Sequence, residues 1–128
     1  MVVVDTSVWV SVLRSASSPE AAVMASLLDS DEVGLAAPVR VELLSGVSPK
    51  DRSALKRALS ALPVLYPTDD TWQLLDSWTE KTSKVGQHFG FGDLLVGALA
   101  AEAGALVWSL DSDFSRLERL KLVQCYDA

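Results

Sequence analysis

Val2-Val3-Val4-Asp5-Thr6-Ser7-Val8-Trp9 is the stretch on which the fold turns. Three β-branched residues in a row favour a buried strand, and Asp5 falls where that strand runs out. From Ser7 to Leu13 the apolar positions take helical spacing, with a hydroxyl placed to cap the first turn. A strand that hands directly to a helix opens an α/β chain and leaves a carboxylate at the strand tip.

The alternation continues outward from this opening. Ser18-Pro19-Glu20 starts a helix through Leu28 that ends around Asp29 to Asp31, with Pro at its first helical position. Val33 to Ala36 form the second strand, and Pro38 opens a helix stopped by Gly46. Ser48-Pro49 begins another helix to about Ala61, Val64 to Tyr66 read as a short strand, and Asp69 and Asp70 suit the start of the next helix. Within that helix Trp72, Leu75 and Thr79 share a face with Trp78 nearby, the pattern of core aromatics. Lys84 to Gly92 make a glycine-rich loop, Asp93 to Ala103 a buried helix ended by Gly104, and Ala105 to Leu110 an internal strand. A short helix from Ser112 to about Leu120 and a last strand around Leu122 to Tyr126 complete an α/β pattern with a parallel sheet.

Composition narrows the class. A chain of 128 residues, 49% hydrophobic, fits one domain with one core. The opening apolar run is too short to span a bilayer and lacks the flanks of a secretory signal, so Met1 reads as the start of the mature chain and the expected location is cytoplasmic, with no membrane partner. Cys125 is the single cysteine, which excludes an internal disulfide and a cysteine-based zinc site; it reads as a small buried apolar residue. A net charge of -6 argues against a non-specific polyanion binder, though not against nucleic acid bridged by metal.

Ligands of parallel α/β sheets collect at the carboxyl edge of the strands. Asp5 and Asp111 each follow a strand directly. Asp93 starts the helix leading into the 105–110 strand and so faces Asp111, while Glu42, about one turn into its helix, reaches back to the same edge. Adjacency of the first and fourth strands is consistent with right-handed crossovers. Each acid also has a structural explanation: Asp5 satisfying backbone donors, Asp93 opposing a helix dipole, Asp111 as an N-cap, Glu42 as an exposed charge. Together they pose a different problem, because two like charges 4 Å apart repel by about 4 kcal/mol at an effective dielectric near 20. A divalent cation removes that penalty, and oxygen ligands without histidine or thiol favour Mg²⁺ or Mn²⁺ over zinc.

Asp5-Thr6-Ser7 after a hydrophobic strand, Pro38 to Gly46, Gly92-Asp93-Leu94-Leu95-Val96-Gly97-Ala98 and Ser109-Leu110-Asp111-Ser112-Asp113-Phe114 resemble, in order, the successive signatures of the PIN-domain family, and most nearly its small VapC-type toxin ribonucleases. The resemblance implies a PIN-like three-layer α/β/α sandwich with a central parallel sheet of about four to five short strands, spanning 1–128. It implies a metal-dependent endoribonuclease with one or two Mg²⁺ or Mn²⁺ ions that lower the pKa of water and neutralise charge on the phosphate. It also implies an RNA substrate, a cognate VapB-like antitoxin and a homodimer. Carried over by position, Asp5, Glu42, Asp93 and Asp111 match the family's acidic quartet, and Asp113 a second acid that serves the metals in some members. Ser109 stands where many members have threonine. Thr6 or Ser7 is placed to orient Asp5 through its hydroxyl, Ser7 equally to act only as a helix cap.

Arg14, Arg40 and Arg116 lie near these segments as candidate phosphate contacts, with surface charge or an ion pair to a neighbouring acid as the ordinary alternative. His88, among glycines in a loop, reads as an exposed loop residue, with an RNA contact as the alternative. Strand-tip aspartates also serve receiver and haloacid-dehalogenase-like phosphoryl transfer, but no Asp-x-Asp-x-Thr follows the first strand and no strand-end lysine joins paired early acids. The remaining alternative is a catalytically silent PIN-like scaffold that binds RNA or protein. The apolar helices Pro19 to Leu28 and Pro38 to Leu44 are the expected antitoxin surfaces, and Trp72 to Trp78 the expected dimer surface.

Overall fold

The computed structural model describes residues 1–128. Its elements run β1 (Val2–Val4), α1 (Thr6–Arg14), α2 (Pro19–Asp29), β2 (Val33–Ala36), α3 (Ala37–Gly46), α4 (Pro49–Leu59), β3 (Val64–Leu65), α5 (Asp69–Lys84), α6 (Phe91–Glu102), β4 (Leu106–Trp108) and α7 (Ser112–Arg119). The strands form one parallel sheet in the order β3-β2-β1-β4, flanked by helices. β1 is therefore central, which explains its apolar composition: Val2, Val3 and Val4 are buried on both faces of the sheet. No helix is long and apolar enough to cross a membrane.

Register decides the position of the functional edge. Val2 pairs with Leu106 and Val4 with Trp108, so Asp5 emerges level with Ser109. The Asp5 N–H donates to the Trp108 carbonyl at 2.8 Å, extending the pairing one residue beyond the strands. On the other side Val2 pairs with Val33, and β2 passes directly into α3, which carries Glu42.

Three expectations change. Leu122 to Tyr126 do not form a full strand: the chain makes one parallel bridge, Val107 to Cys125, secured by Val107 N–H to the Gln124 carbonyl at 2.9 Å and Tyr126 N–H to the Val107 carbonyl at 2.7 Å. Val123 is buried in this segment, whereas Cys125 is only half-buried. On α5, Leu75 and Trp78 are buried as expected, but Trp72 is 45% exposed and Thr79 lies at the surface. Trp72 instead stacks on Phe91 with ring centroids 6.1 Å apart. The helical stripe points partly at α6's first residue rather than into the core.

α6 is the helix that holds the site against the core, and from Leu94 to Ala100 it is buried without interruption. It packs closely because Gly97 leaves room: a Cβ there would lie 3.1 Å from Val123 Cγ1 and 3.3 Å from Trp78 Cζ3. Gly104, at φ 64°, then supplies the left-handed turn that ends the helix and feeds β4. Gly97→Val is expected to destabilise the fold by about 1–3 kcal/mol through overpacking. Thermal denaturation should show Tm lowered by roughly 5–15 °C, and an unchanged Tm would mean that α6 does not pack closely there.

Candidate active site

Asp5 is the N-cap of α1 by position, but its carboxylate does not cap the helix. Its Oδ2 accepts hydrogen bonds from Ser7 Oγ at 2.9 Å and Ser109 Oγ at 2.8 Å. Ser7 is thus an orienting residue rather than a simple cap, and it also accepts the Leu110 N–H at 3.0 Å. Ser109 accepts the Asp111 N–H at 2.9 Å. Two hydroxyls fix one oxygen of a carboxylate that is only 8% exposed, and the same hydroxyls fix the backbone leading to Asp111.

Asp111 caps α7, its Oδ1 accepting the Asp113 N–H at 2.9 Å. The structural explanation of this residue therefore holds, yet it accounts for only one of its oxygens. Asp93 stands in the first turn of α6. Asp93, Asp111 and Asp113 each present a carboxylate oxygen, and these oxygens lie within 4.8 Å of one another. Asp5, Glu42, Asp93 and Asp111 line a single open cavity of about 350 Å³ with Thr6, Ser7, Gly90 and Gly92. The quartet named by the sequence meets at one place, Asp113 beside it.

Burial and like charge mark this place electrostatically. Loss of water pushes the Asp93 carboxyl up to about 7, aided by its hydrogen bond with Asp113 and by the charges of Asp111, Asp5 and Asp113. The Glu42 carboxyl is held above its ordinary range, first by desolvation and then by Asp5. Thr6 opposes that shift, and its buried hydroxyl has no hydrogen-bond partner. An all-oxygen cluster of converging carboxylates, with an unsatisfied hydroxyl in its wall, fits a hard divalent cation such as Mg²⁺ or Mn²⁺. It offers neither imidazole nor thiolate for zinc.

The basic residues divide. Arg14 is exposed at the end of α1 and Arg40 half-buried on α3, and neither pairs with an acid. Arg116 makes the ion pair that was the alternative to a phosphate contact, its Nη1 lying 2.9 Å from Asp113 Oδ1. His88 is exposed. Sequence reasoning missed the partners of Arg116: its Nη2 donates to Gln87 Oε1 at 3.2 Å and the His88 carbonyl at 3.3 Å, and its guanidinium lies over the Phe89 ring at 4.1 Å. The alternation of Phe89, buried, with Phe91, exposed, in a glycine-rich segment was the available signal.

Comparison with known proteins agrees with this fold. A family model described as PIN domain matches residues 2–120. Ribonuclease VapC11 of Mycobacterium tuberculosis is 27% identical over 129 residues, covering 97% of this chain and 96% of its own. Among solved structures, VapBC2 from Rickettsia felis, bound to a DNA fragment from its promoter, superposes with a TM-score of 0.82 at 17% identity, over 100% of this chain and 99% of the other. M. tuberculosis VapC20, a sarcin-ricin-loop-cleaving toxin, gives a TM-score of 0.65 at 21% identity, over 91% of this chain and 94% of its own.

Proposed function

The chain belongs to the PIN-domain family, and from that premise we propose that it is a metal-dependent endoribonuclease toxin held in check by a cognate VapB-like antitoxin. The observation that carries the reading is the convergence of Asp5, Glu42, Asp93 and Asp111 on one cavity. The names of the relatives support this substrate and partner: one is a ribonuclease, another a sarcin-ricin-loop-cleaving toxin, a third a VapBC complex. The same reading assigns the protein to the cytoplasm, where an RNA substrate and the antitoxin would meet it.

Asp93, Asp111, Asp113 and Asp5 would hold one or two Mg²⁺ or Mn²⁺ ions, with Glu42 at the outer edge of the set. When bound, such an ion lowers the pKa of water and neutralises charge developing on the scissile phosphate. Ser7 and Ser109 keep Asp5 in a single orientation so that little reorganisation is needed as the substrate reacts. Glu42 stands outside the tight group formed by Asp93, Asp111 and Asp113, and its carboxylate is the group we assign to take up the proton released in hydrolysis. The open cavity suits single-stranded or looped RNA, whose backbone is accessible.

For the antitoxin we assign the apolar groove of about 320 Å³ formed by Val10, Leu13, Leu43, Val47 and Leu55, with Arg14 and Glu42 on its wall. Glu42 borders both this groove and the acidic cavity, so a segment seated there reaches the site. The groove runs along α1, α3 and α4, not α2. The stacked Trp72 and Phe91, both exposed, are the surface we assign to the homodimer.

The test of the nuclease reading is incubation of the antitoxin-free protein with unstructured RNA in Mg²⁺, then in EDTA, then in excess Mn²⁺. Cutting that stops and resumes with the ion supports it, and cutting indifferent to chelation overturns the metal dependence. Ser109→Ala removes one donor to Asp5 and one acceptor at Asp111, and should lower kcat by about 10–100-fold, as loss of a ligand-orienting partner does. Ser109→Thr keeps the hydroxyl and should retain most activity. Equal rates in wild type and Ser109→Ala would remove the orienting role.

A further inference from the structure

We infer that Arg116 is a positioning residue that joins α7 to the segment before α6 and so fixes Asp113 and Asp93 relative to each other; the inference rests on the ion-binding reading above. Asp113 and Asp93 come from different elements, α7 and α6, yet their carboxylate oxygens, with that of Asp111, lie within 4.8 Å of one another. Something must set the distance between those elements at the sheet edge. Arg116 spans the gap: Nη1 binds Asp113 on its own helix, while Nη2 binds Gln87 and the His88 carbonyl in the chain that leads into Gly90 and Asp93. Phe89, buried beneath the guanidinium, fixes the plane of the fork.

This geometry needs arginine. A planar guanidinium presents five donors and stacks flat on an aromatic ring, whereas an ammonium group makes a point contact. Arg116 is also the one cation within ion-pair distance of any acid at the site, since the only other ion pair, Lys84 with Glu80, is an exposed pair on α5. Three of its five N–H donors are already committed within the protein, to Asp113, Gln87 and the His88 carbonyl.

Two effects must be separated, because they have opposite signs. If Arg116 acted only through its charge, its removal would tighten cation binding by relieving repulsion. If it acts by position, loss of the fork loosens the carboxylate set even when the charge stays. Arg116→Lys separates them by keeping the charge.

The experiment is Mn²⁺ titration of the folded protein by electron paramagnetic resonance, with RNA cleavage followed in parallel across a salt series. Arg116→Lys is expected to weaken Mn²⁺ binding by about 10-fold and lower kcat by about 10–100-fold, the cost typical of residues supporting metal ligands, with KM little changed. Gln87→Ala, which removes one anchor without touching an acid, should weaken Mn²⁺ binding by a few-fold in the same direction and serves if Arg116→Lys folds poorly. In a double-mutant cycle, Arg116→Lys should add little to Asp113→Asn. Wild-type Mn²⁺ affinity in both Arg116→Lys and Gln87→Ala would overturn the inference. So would a raised KM with kcat intact and a salt slope reduced by about 1, which is the signature of a phosphate contact. If wild type binds Mn²⁺ but cuts no RNA, the nuclease reading fails, while the Mn²⁺ titrations still decide the role of Arg116.

Discussion

Asp93→Asn is expected to lose RNA cleavage by more than about a hundredfold, beyond the 10–100-fold typical of residues that only support ligands, and at the same time to raise the Tm of the metal-free protein. The two effects have one cause. Asp93 is half-buried against Asp5, Asp111 and Asp113, and in the absence of a cation its charge meets only like charges. An amide of the same shape removes that repulsion. Because the group keeps some contact with water, screening moderates the gain; about 1 kcal/mol, or a rise of roughly 3–6 °C near neutral pH, is the expected scale. Mn²⁺ binding should be lost together with cleavage. A variant that loses activity and is also less stable than wild type would mean that Asp93 is held for the fold, and the opposed effects together separate a functional acid from a structural one.

The second large effect is a pH-dependent stabilisation by divalent ions. The folded state holds the Asp93 proton up to about 7, whereas the unfolded state releases it near 3.8. Between those values the folded state binds more protons, so this group's contribution to stability is fully present below about pH 4 and is lost as pH rises through 7. The Tm of metal-free wild type should therefore fall relative to Asp93→Asn between pH 5 and pH 8. Mg²⁺ competes with the proton for the same oxygens. It should do little at pH 5, but at pH 8 and a hundredfold excess over Kd it should contribute about 2.7 kcal/mol, a Tm rise of roughly 10 °C. Differential scanning fluorimetry across pH, with and without Mg²⁺, reads both trends. A Tm difference between wild type and Asp93→Asn that is flat with pH, or an Mg²⁺ shift as large at pH 5 as at pH 8, would count against the cluster.

The legible and illegible parts of this chain have physical reasons. β1 was legible because a central parallel strand is buried on both faces and must be apolar throughout, and because Asp5 interrupts that run abruptly. The helix starts at Pro19 and Pro49 match the observed first residues of α2 and α4, since proline at a first helical position sacrifices no bond. The four acids could be placed on one edge because topology alone puts strand tips and succeeding helix starts together.

Side-chain partners were less legible. Whether Ser7 caps α1 or orients Asp5 depends on the β1–β4 register, which brings Ser109 alongside, and no local pattern encodes that register. The final segment has strand-like residues but only one bridge, because pairing at an edge depends on how the chain leaves Lys121, which takes a positive φ of 63°. Trp72 follows the helical stripe of α5 yet meets exposed Phe91, since α6 begins two residues earlier than Asp93. The bonds of Arg116 to Gln87 and His88 span nearly thirty residues of sequence and leave no periodic trace.

The most direct measurement of the central claim is cleavage of a broad RNA pool by folded, antitoxin-free wild type, Asp5→Asn and Asp93→Asn, each with Mg²⁺, Mn²⁺ or EDTA. The acidic quartet predicts cutting by wild type with either ion, none in EDTA, and near-complete loss in both variants. An intact pool after incubation with ion-loaded wild type would contradict it and leave the fold as a binding scaffold without catalysis.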